Sequence, residues 1–255
     1  MRTAFLFLLP GILAAQVSAP NPGIVRVERS AVANVLGVPG NLLLVHSGFP
    51  SVDAIAFSNQ VGLIATSGRI RLVQKDGKVL GEAAYAGSVP VLNIDAAAES
   101  AVAWLNSENA ILRWRAGQFE RVPVGEQAGK ITSISMGDSQ TAHLLAANPD
   151  GTVSRIDISL PDGSVRNLAV LPGVHAPAYA IGSYILYADE NGLAIESAGG
   201  VKRIVAAPAG SFTTERMSDN WVHLYFTRQK THYALHLAGE PSLSQLPAPA
   251  VKVSQ

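Results

Sequence analysis

Residues 178–206 read AYAI, GS, YILYAD, ENG, LAIES, AGG, VKRIVA, and this stretch decides the fold. Four short apolar segments alternate with turns, and none shows the 3.6-residue periodicity of a packed helix. Asn191-Gly192 supplies the positive-φ residues that a tight hairpin needs, and Gly199-Gly200 marks the next reversal. The stretch therefore reads as a four-stranded antiparallel meander. The same plan returns along the chain. Its second strands fall at 61–66, 101–106, 142–148, 184–189 and 221–226, with starts 40, 41, 42 and 37 residues apart. Each follows an inner strand, at 52–57, 91–95, 131–136, 178–181 and 212–217. Each runs into a hairpin turn: Ser67-Gly68, 107–109, Pro149-Asp150-Gly151, Glu190-Asn191-Gly192 and 228–231. A third strand (69–73, 111–115, 152–158, 193–197, 233–237) and an outer one (78–83, 119–124, 165–171, 201–206, 242–246) complete the unit. The first two strands are near-continuous apolar runs, as strands covered on both faces are. The third alternates, as in Arg69-Ile70-Arg71-Leu72, the pattern of a half-exposed strand.

One such sheet cannot bury both faces alone, so it must stack on copies of itself. Radial stacking closes the copies into a ring and leaves only short, protected edges. Four strands per unit of about 40 residues resemble the β-propeller repeat proteins in general, over roughly residues 41–247. No Trp-Asp dipeptide ends the strands, no Gly-His opens them, and the kelch double glycine is not repeated. The resemblance is thus to an architecture and not to the WD or kelch families. It implies an all-β fold, a β-propeller of four-stranded antiparallel blades. Three further apolar stretches, at 24–28, 31–36 and 41–45, precede the five units, and Val251-Lys252-Val253 follows them. Together these pieces make a sixth blade shared between the chain ends. Six blades are favoured over five, in a single domain at 24–254. The Ala-rich stretch 95–105 has helical leanings, but the repeat register assigns it strand, turn and strand.

Composition excludes several function classes. Of the 255 residues, 48% are hydrophobic and 15% charged, which argues for a packed core and against disorder. Nineteen basic and nineteen acidic residues cancel, so no global field attracts nucleic acid. The chain has no cysteine, which excludes disulfides, thiolate metal sites, a Cys nucleophile and a lipoprotein anchor. Residues 4–15 (AFLFLLPGILAA) form a twelve-residue apolar run after Arg2, followed by small and polar residues. That is the anatomy of a signal peptide over 1–16 with cleavage near Ala15/Gln16, and too short for a spanning helix of about 20 residues. The expectation is a secreted or periplasmic monomer without a stable membrane span.

Candidate chemistry is sparse. His232 and His236 face one way on a strand, with His223 on its neighbour, an arrangement that invites zinc or copper. However, four residues of strand separate the first two by about 13 Å, too far for one ion. Inner strands and the loops feeding them contribute Asp53, Asn93, Asp95, Thr132, His175, Thr213 and Glu215 to a central channel. Propeller lactonases hold a divalent cation with oxygen ligands at such positions. By that likeness Asp53, Asn93, Asp95 and Glu215 are the weak candidates for calcium, although Asp53 and Asp95 do not share one strand face. No Gly-x-Ser-x-Gly elbow or phosphate-binding glycine loop occurs, so neither catalytic nor cofactor-binding residues are assigned. Aromatic residues gather at Tyr179, Tyr184 and Tyr187, and at Trp221, Tyr225, Phe226 and Tyr233, as packing between blades or as an exposed patch. The expected function is a non-enzymatic binding platform for a protein or small ligand on one propeller face. The alternative is a hydrolase, lactonase or lyase with a cation in the channel.

Overall fold

The computed structural model describes residues 20–27, 31–47, 49, 51–95 and 101–248. The signal-peptide reading of 1–16, the tail Val251-Lys252-Val253 and residues 96–100 of the Ala-rich stretch at 95–105 fall outside these residues. Six antiparallel sheets form the blades of a propeller. Blade one is β1 (Gly23–Arg26), β2 (Val32–Val38) and β3 (Asn41–His46). Blade two is β4 (Ala54–Phe57), β5 (Val61–Thr66), β6 (Arg69–Gln74) and β7 (Val79–Ala84). Blade three is β8 (Val91–Asn93), β9 (Val102–Leu105), β10 (Ala110–Arg115) and β11 (Gln118–Pro123). Blade four is β12 (Lys130–Asp138), β13 (Thr141–Ala147), β14 (Thr152–Ser159) and β15 (Val165–His175). Blade five is β16 (Ala178–Ile181), β17 (Tyr184–Asp189), β18 (Gly192–Ser197) and β19 (Lys202–Val205). Blade six is β20 (Phe212–Arg216), β21 (Trp221–Phe226), β22 (Thr231–His236) and β23 (Ser242–Gln245). Every strand pairs with its sequence neighbour.

Period-2 alternation builds the ring. Because successive side chains leave opposite faces of a strand, each blade packs on both neighbours at once. Ile24 joins the apolar cluster shared with blade two, while Val25, next to it, joins the cluster shared with blade six. Likewise Leu186 packs toward blade six and Tyr187 toward blade four. Among the described residues, six such clusters occur, one for each pair of adjacent blades, including the pair that joins the last blade to the first. The ring is therefore closed, and the core is distributed over its six seams.

Blade one differs from the rest. In the other blades the second and third strands carry many of the buried positions and the outer strand is largely exposed or half-buried. β1, β2 and β3 follow that same order of burial. Direction agrees: the start of β1 lies against the end of β20, where the Ile24 amide reaches the Met217 carbonyl. β1 thus runs opposite to the inner strands of the other blades. The three strands occupy the second, third and outer positions, and no described strand occupies the innermost one.

Turn chemistry sets the hairpins. Ser67 (φ 49°) and Gly68 (φ 78°) both take positive φ, as the two central residues of a type I′ turn must. Ser67, Asn109, Asp150, Asn191 and Gln229 lie in the hairpins between second and third strands, so all crown one face, hereafter the hairpin face. Elsewhere, Gly81 lies under the Trp114 ring, where an added Cβ would meet Cζ3 at 2.2 Å. This close approach fits the outer strand of blade two against blade three.

Candidate functional site

The inner strands enclose a cavity of about 200 Å³ on the propeller axis, lined from all six blades. Its wall is more apolar than polar, and Asp53, Thr132, Thr213 and Glu215 supply the polar part, with Tyr179 beside them. Arg216, only 7% exposed, closes its lower end. The guanidinium donates to the Ile94 carbonyl on blade three, directly opposite across the ring, and to the Ser218 (3.2 Å) and Asp219 (3.3 Å) carbonyls. Burial lowers the Arg216 pKa from its ordinary value, while Asp219 and Asp95 nearby act to raise it. A planar fork with several fixed donors can span such a floor where an ammonium group cannot.

A second cavity, of about 560 Å³, lies at the seam between blades six and one and shares Arg26, Thr213 and Glu215 with the first. It contains a four-member polar chain. Arg26 of β1 donates from Nε (2.8 Å) and Nη2 (2.7 Å) to Glu215 Oε1 of β20. His223 Nδ1 stands 3.4 Å from Glu215 Oε2, and His223 Nε2 meets His232 Nδ1 at 2.9 Å. Cross-strand register explains the assembly. Glu215 lies directly opposite His223, and His232 lies opposite Tyr225, two residues further along the same face. Glu215 Oε2 faces His223 Nδ1 without forming a hydrogen bond, and either His223 Nε2 or His232 Nδ1 can be the donor between the two imidazoles. Burial, then the neighbouring His223, hold the His232 pKa down to about 4, with Glu215 acting in the opposite direction. At neutral pH His232 is uncharged.

The candidates read from sequence are dispersed. Asp53 Oδ2 accepts from the Ser67 amide (3.1 Å) and the Tyr85 hydroxyl (3.5 Å), so it caps a hairpin. Asn93 ties blade three to blade four through the Ile134 carbonyl (2.8 Å). Asp95 sits near the Arg216 guanidinium, and Glu215 belongs to the seam. Asp53, Asn93 and Glu215 line the axial cavity, but among the described residues no group of three acidic or imidazole side chains is placed to hold a metal ion. His175 departs from expectation. It ends the outer strand β15 and is exposed, because that strand continues past residue 171 and the inner strand β16 begins only at Ala178. His236 stacks on Trp221 with ring centroids 4.6 Å apart, away from the His223–His232 pair. Tyr179 packs on Phe212 at the seam of blades five and six and donates to its carbonyl (2.8 Å), and burial pushes its pKa up to about 12. Tyr225 stacks against His232 in the seam cavity, at 4.7 Å. Exposed large apolar side chains, such as Leu43, Leu80, Leu168 and Ile204, lie on third and outer strands and not among the hairpins.

Arg26 and Arg216 were the residues that sequence reading missed. Arg26 is a charged residue inside an otherwise apolar segment (GIVRV), and that mismatch was the available signal, whereas Arg216 follows the polar residues Thr213, Thr214 and Glu215 and carried none.

No family model and no curated protein matches this sequence. Among solved structures, the fold is similar to a chain of the nidogen/laminin complex, at 10% identity over 87% of this chain and 92% of that one, with a TM-score of 0.56. The hydrazine synthase of Kuenenia stuttgartiensis (15% identity, 89% and 80% covered, TM-score 0.48) and BamB from Moraxella catarrhalis (14%, 89% and 73%, 0.42) are more distant in shape. At these identities the likeness concerns architecture alone. The chain is a six-bladed β-propeller.

Proposed function

We propose that this protein is an exported, non-catalytic propeller, secreted or periplasmic, that binds a small polar ligand at the hairpin-face mouth of its channel. The observation that carries the reading is the axial cavity lined from all six blades, in which Asp53, Thr132, Thr213 and Glu215 offer polar groups and the buried Arg216 guanidinium lies alongside. Its volume of about 200 Å³ lies below the range of drug-sized pockets, which favours a small molecule or a single protruding group. The hairpin face carries no aromatic apolar patch among the described residues, which weighs against a broad protein interface there. A channel-centred hydrolase would require Asp53, Asn93, Asp95 and Glu215 to leave the surroundings described above and converge on a cation. No helix among the described residues is long and apolar enough to cross a membrane.

Amide NMR titration tests the reading with D-glucose, glycerol, acetate and calcium chloride as probes. Saturable shifts confined to Asp53, Thr132, Tyr179 and Thr213 are expected from at least one organic probe. Calcium-specific shifts at Asp53, Asn93 and Glu215, with calcium-dependent opening of an aliphatic lactone, would replace this reading with the hydrolase. No localised shift from any probe would end the axial reading. Amino-terminal sequencing of the exported protein checks the leader, with Gln16 expected first.

A further inference from the structure

The cavity at the seam of blades six and one encloses about 560 Å³, within the range of sites that take a whole small molecule. Two atoms of its lining residues lack partners. Among the described residues, Glu215 Oε2 and Thr231 Oγ1 are the buried side-chain polar atoms without a hydrogen bond, and both residues line this cavity. Buried polar atoms seldom stand so, because burial strips them of water and the fold normally supplies a replacement. The Glu215 side chain is only 10% exposed, and Arg26 occupies its other oxygen, Oε1. His223 Nδ1, 3.4 Å from Oε2, makes no hydrogen bond to it. Thr231 opens β22 directly after the hairpin residue Lys230, so its hydroxyl and the carboxylate of β20 belong to different strands of the blade.

The chemistry of the wall narrows the occupant. Oε2 of the carboxylate can only accept, so the ligand must donate to it. Ammonium groups and metal ions are disfavoured, since Arg26 and Lys230 set two cations against the one carboxylate. A plain carboxylate ion brings no donor and repels Glu215. A hydrocarbon leaves both atoms stranded. A hydroxyl both donates and accepts, and so serves Oε2, Thr231 Oγ1 and the Lys230 ammonium alike. Val27, Leu246 and Pro247 make the rest of the wall apolar, and Tyr225, stacked on His232, adds an aromatic surface. A pyranose combines a rim of hydroxyls with an apolar C–H face. We propose that the seam cavity binds a monosaccharide-sized polyhydroxylated ring, neutral or acidic, whose hydroxyls bond Glu215 Oε2 and Thr231 Oγ1. This site is separate from the axial one and does not rest on that reading.

Amide NMR titration of the full-length protein tests the site, with D-glucose, D-galactose, D-mannose and D-glucuronate added one at a time. Saturable shifts at Tyr225, Thr231, His232 and Leu246 are expected from at least one of them, and a response to D-glucuronate alone marks an acidic ligand. Shifts confined to Asp53, Thr132 and Tyr179 would overturn the proposal while leaving the axial reading in place. No saturable shift at the seam from any of the four sugars would overturn it as well. Thr231→Val supplies a second readout. Because Oγ1 has no partner in the free protein, urea stability is expected to match the parent, whereas affinity for the responding sugar falls about tenfold. Unchanged affinity in that variant would contradict the assignment.

Discussion

Replacing Arg216 by methionine keeps an unbranched side chain of similar reach on the channel floor and removes its charge and donors. The guanidinium serves three carbonyls, at Ile94, Ser218 and Asp219, from a position only 7% exposed. A hydrogen bond to a charged group contributes about 1.5–3 kcal/mol, and an acceptor stranded in a buried site costs about 1–3 kcal/mol. Two effects oppose that loss: methionine needs no desolvation of a cation, and water entering the channel can solvate the freed carbonyls. Together these set the expected destabilisation at about 3 kcal/mol, far below the sum of three separate bonds. Urea unfolding followed by tryptophan fluorescence measures it, with an unchanged m-value expected. Arg216→Lys separates charge from fork geometry, because one ammonium cannot reach carbonyls on opposite sides of the ring. It should recover less than half of the loss. A methionine variant within about 0.5 kcal/mol of the parent would refute the floor, since surface substitutions fall in that range. Full recovery by lysine would refute the role of the fork.

Two other consequences are as specific. His232 is neutral in the folded protein down to about pH 4, against an ordinary value near 6.5, so unfolding takes up a proton between those limits. Its contribution to stability is complete above pH 6.5 and is lost as pH falls toward 4. Partial solvent access reduces the nominal figure to about 1–2 kcal/mol, and a His232→Asn variant should lack that part of the urea-measured pH dependence. Phe212 is 1% exposed, between Tyr179 and Phe226 with centroids 5.5 Å from each. Phe212→Ala should cost about 3–5 kcal/mol in urea while leaving the His232 titration in place.

The repeat was legible because each strand's burial is written in adjacent residues. Alternation in Arg69–Gln74 and the hairpin turn within Glu190-Asn191-Gly192 place themselves without knowledge of the ring, although only Gly192 of that turn takes positive φ. The pieces at 24–28, 31–36 and 41–45 were likewise strands, but their positions within a blade were not readable. That depends on direction relative to β20, a contact between residues nearly two hundred positions apart. The seam chemistry was hidden for the same reason. His223 and His232 were visible as one face of a hairpin, whereas their alignment on Glu215 needs the register of β20 against β21. Asp53 and Asn93 looked like channel ligands by position, yet their nearest donors and acceptors are the Ser67 amide and the Ile134 carbonyl. Local hydrogen bonding claims polar side chains before a channel does, and only three-dimensional placement reveals which claim wins.

Closure of the ring between its first and last blades is the claim on which both cavities depend. Arg26 and Glu215 stand on the two sides of that seam, 189 residues apart in sequence, joined by two charge-assisted hydrogen bonds. The direct measurement is a double-mutant cycle, Arg26→Met with Glu215→Gln, by urea unfolding at low and high salt. A partly buried pair of this geometry should couple by about 1–2 kcal/mol, with little loss at 1 M salt. Additivity within about 0.3 kcal/mol would show that the two residues do not meet, and the closed six-bladed ring would be contradicted.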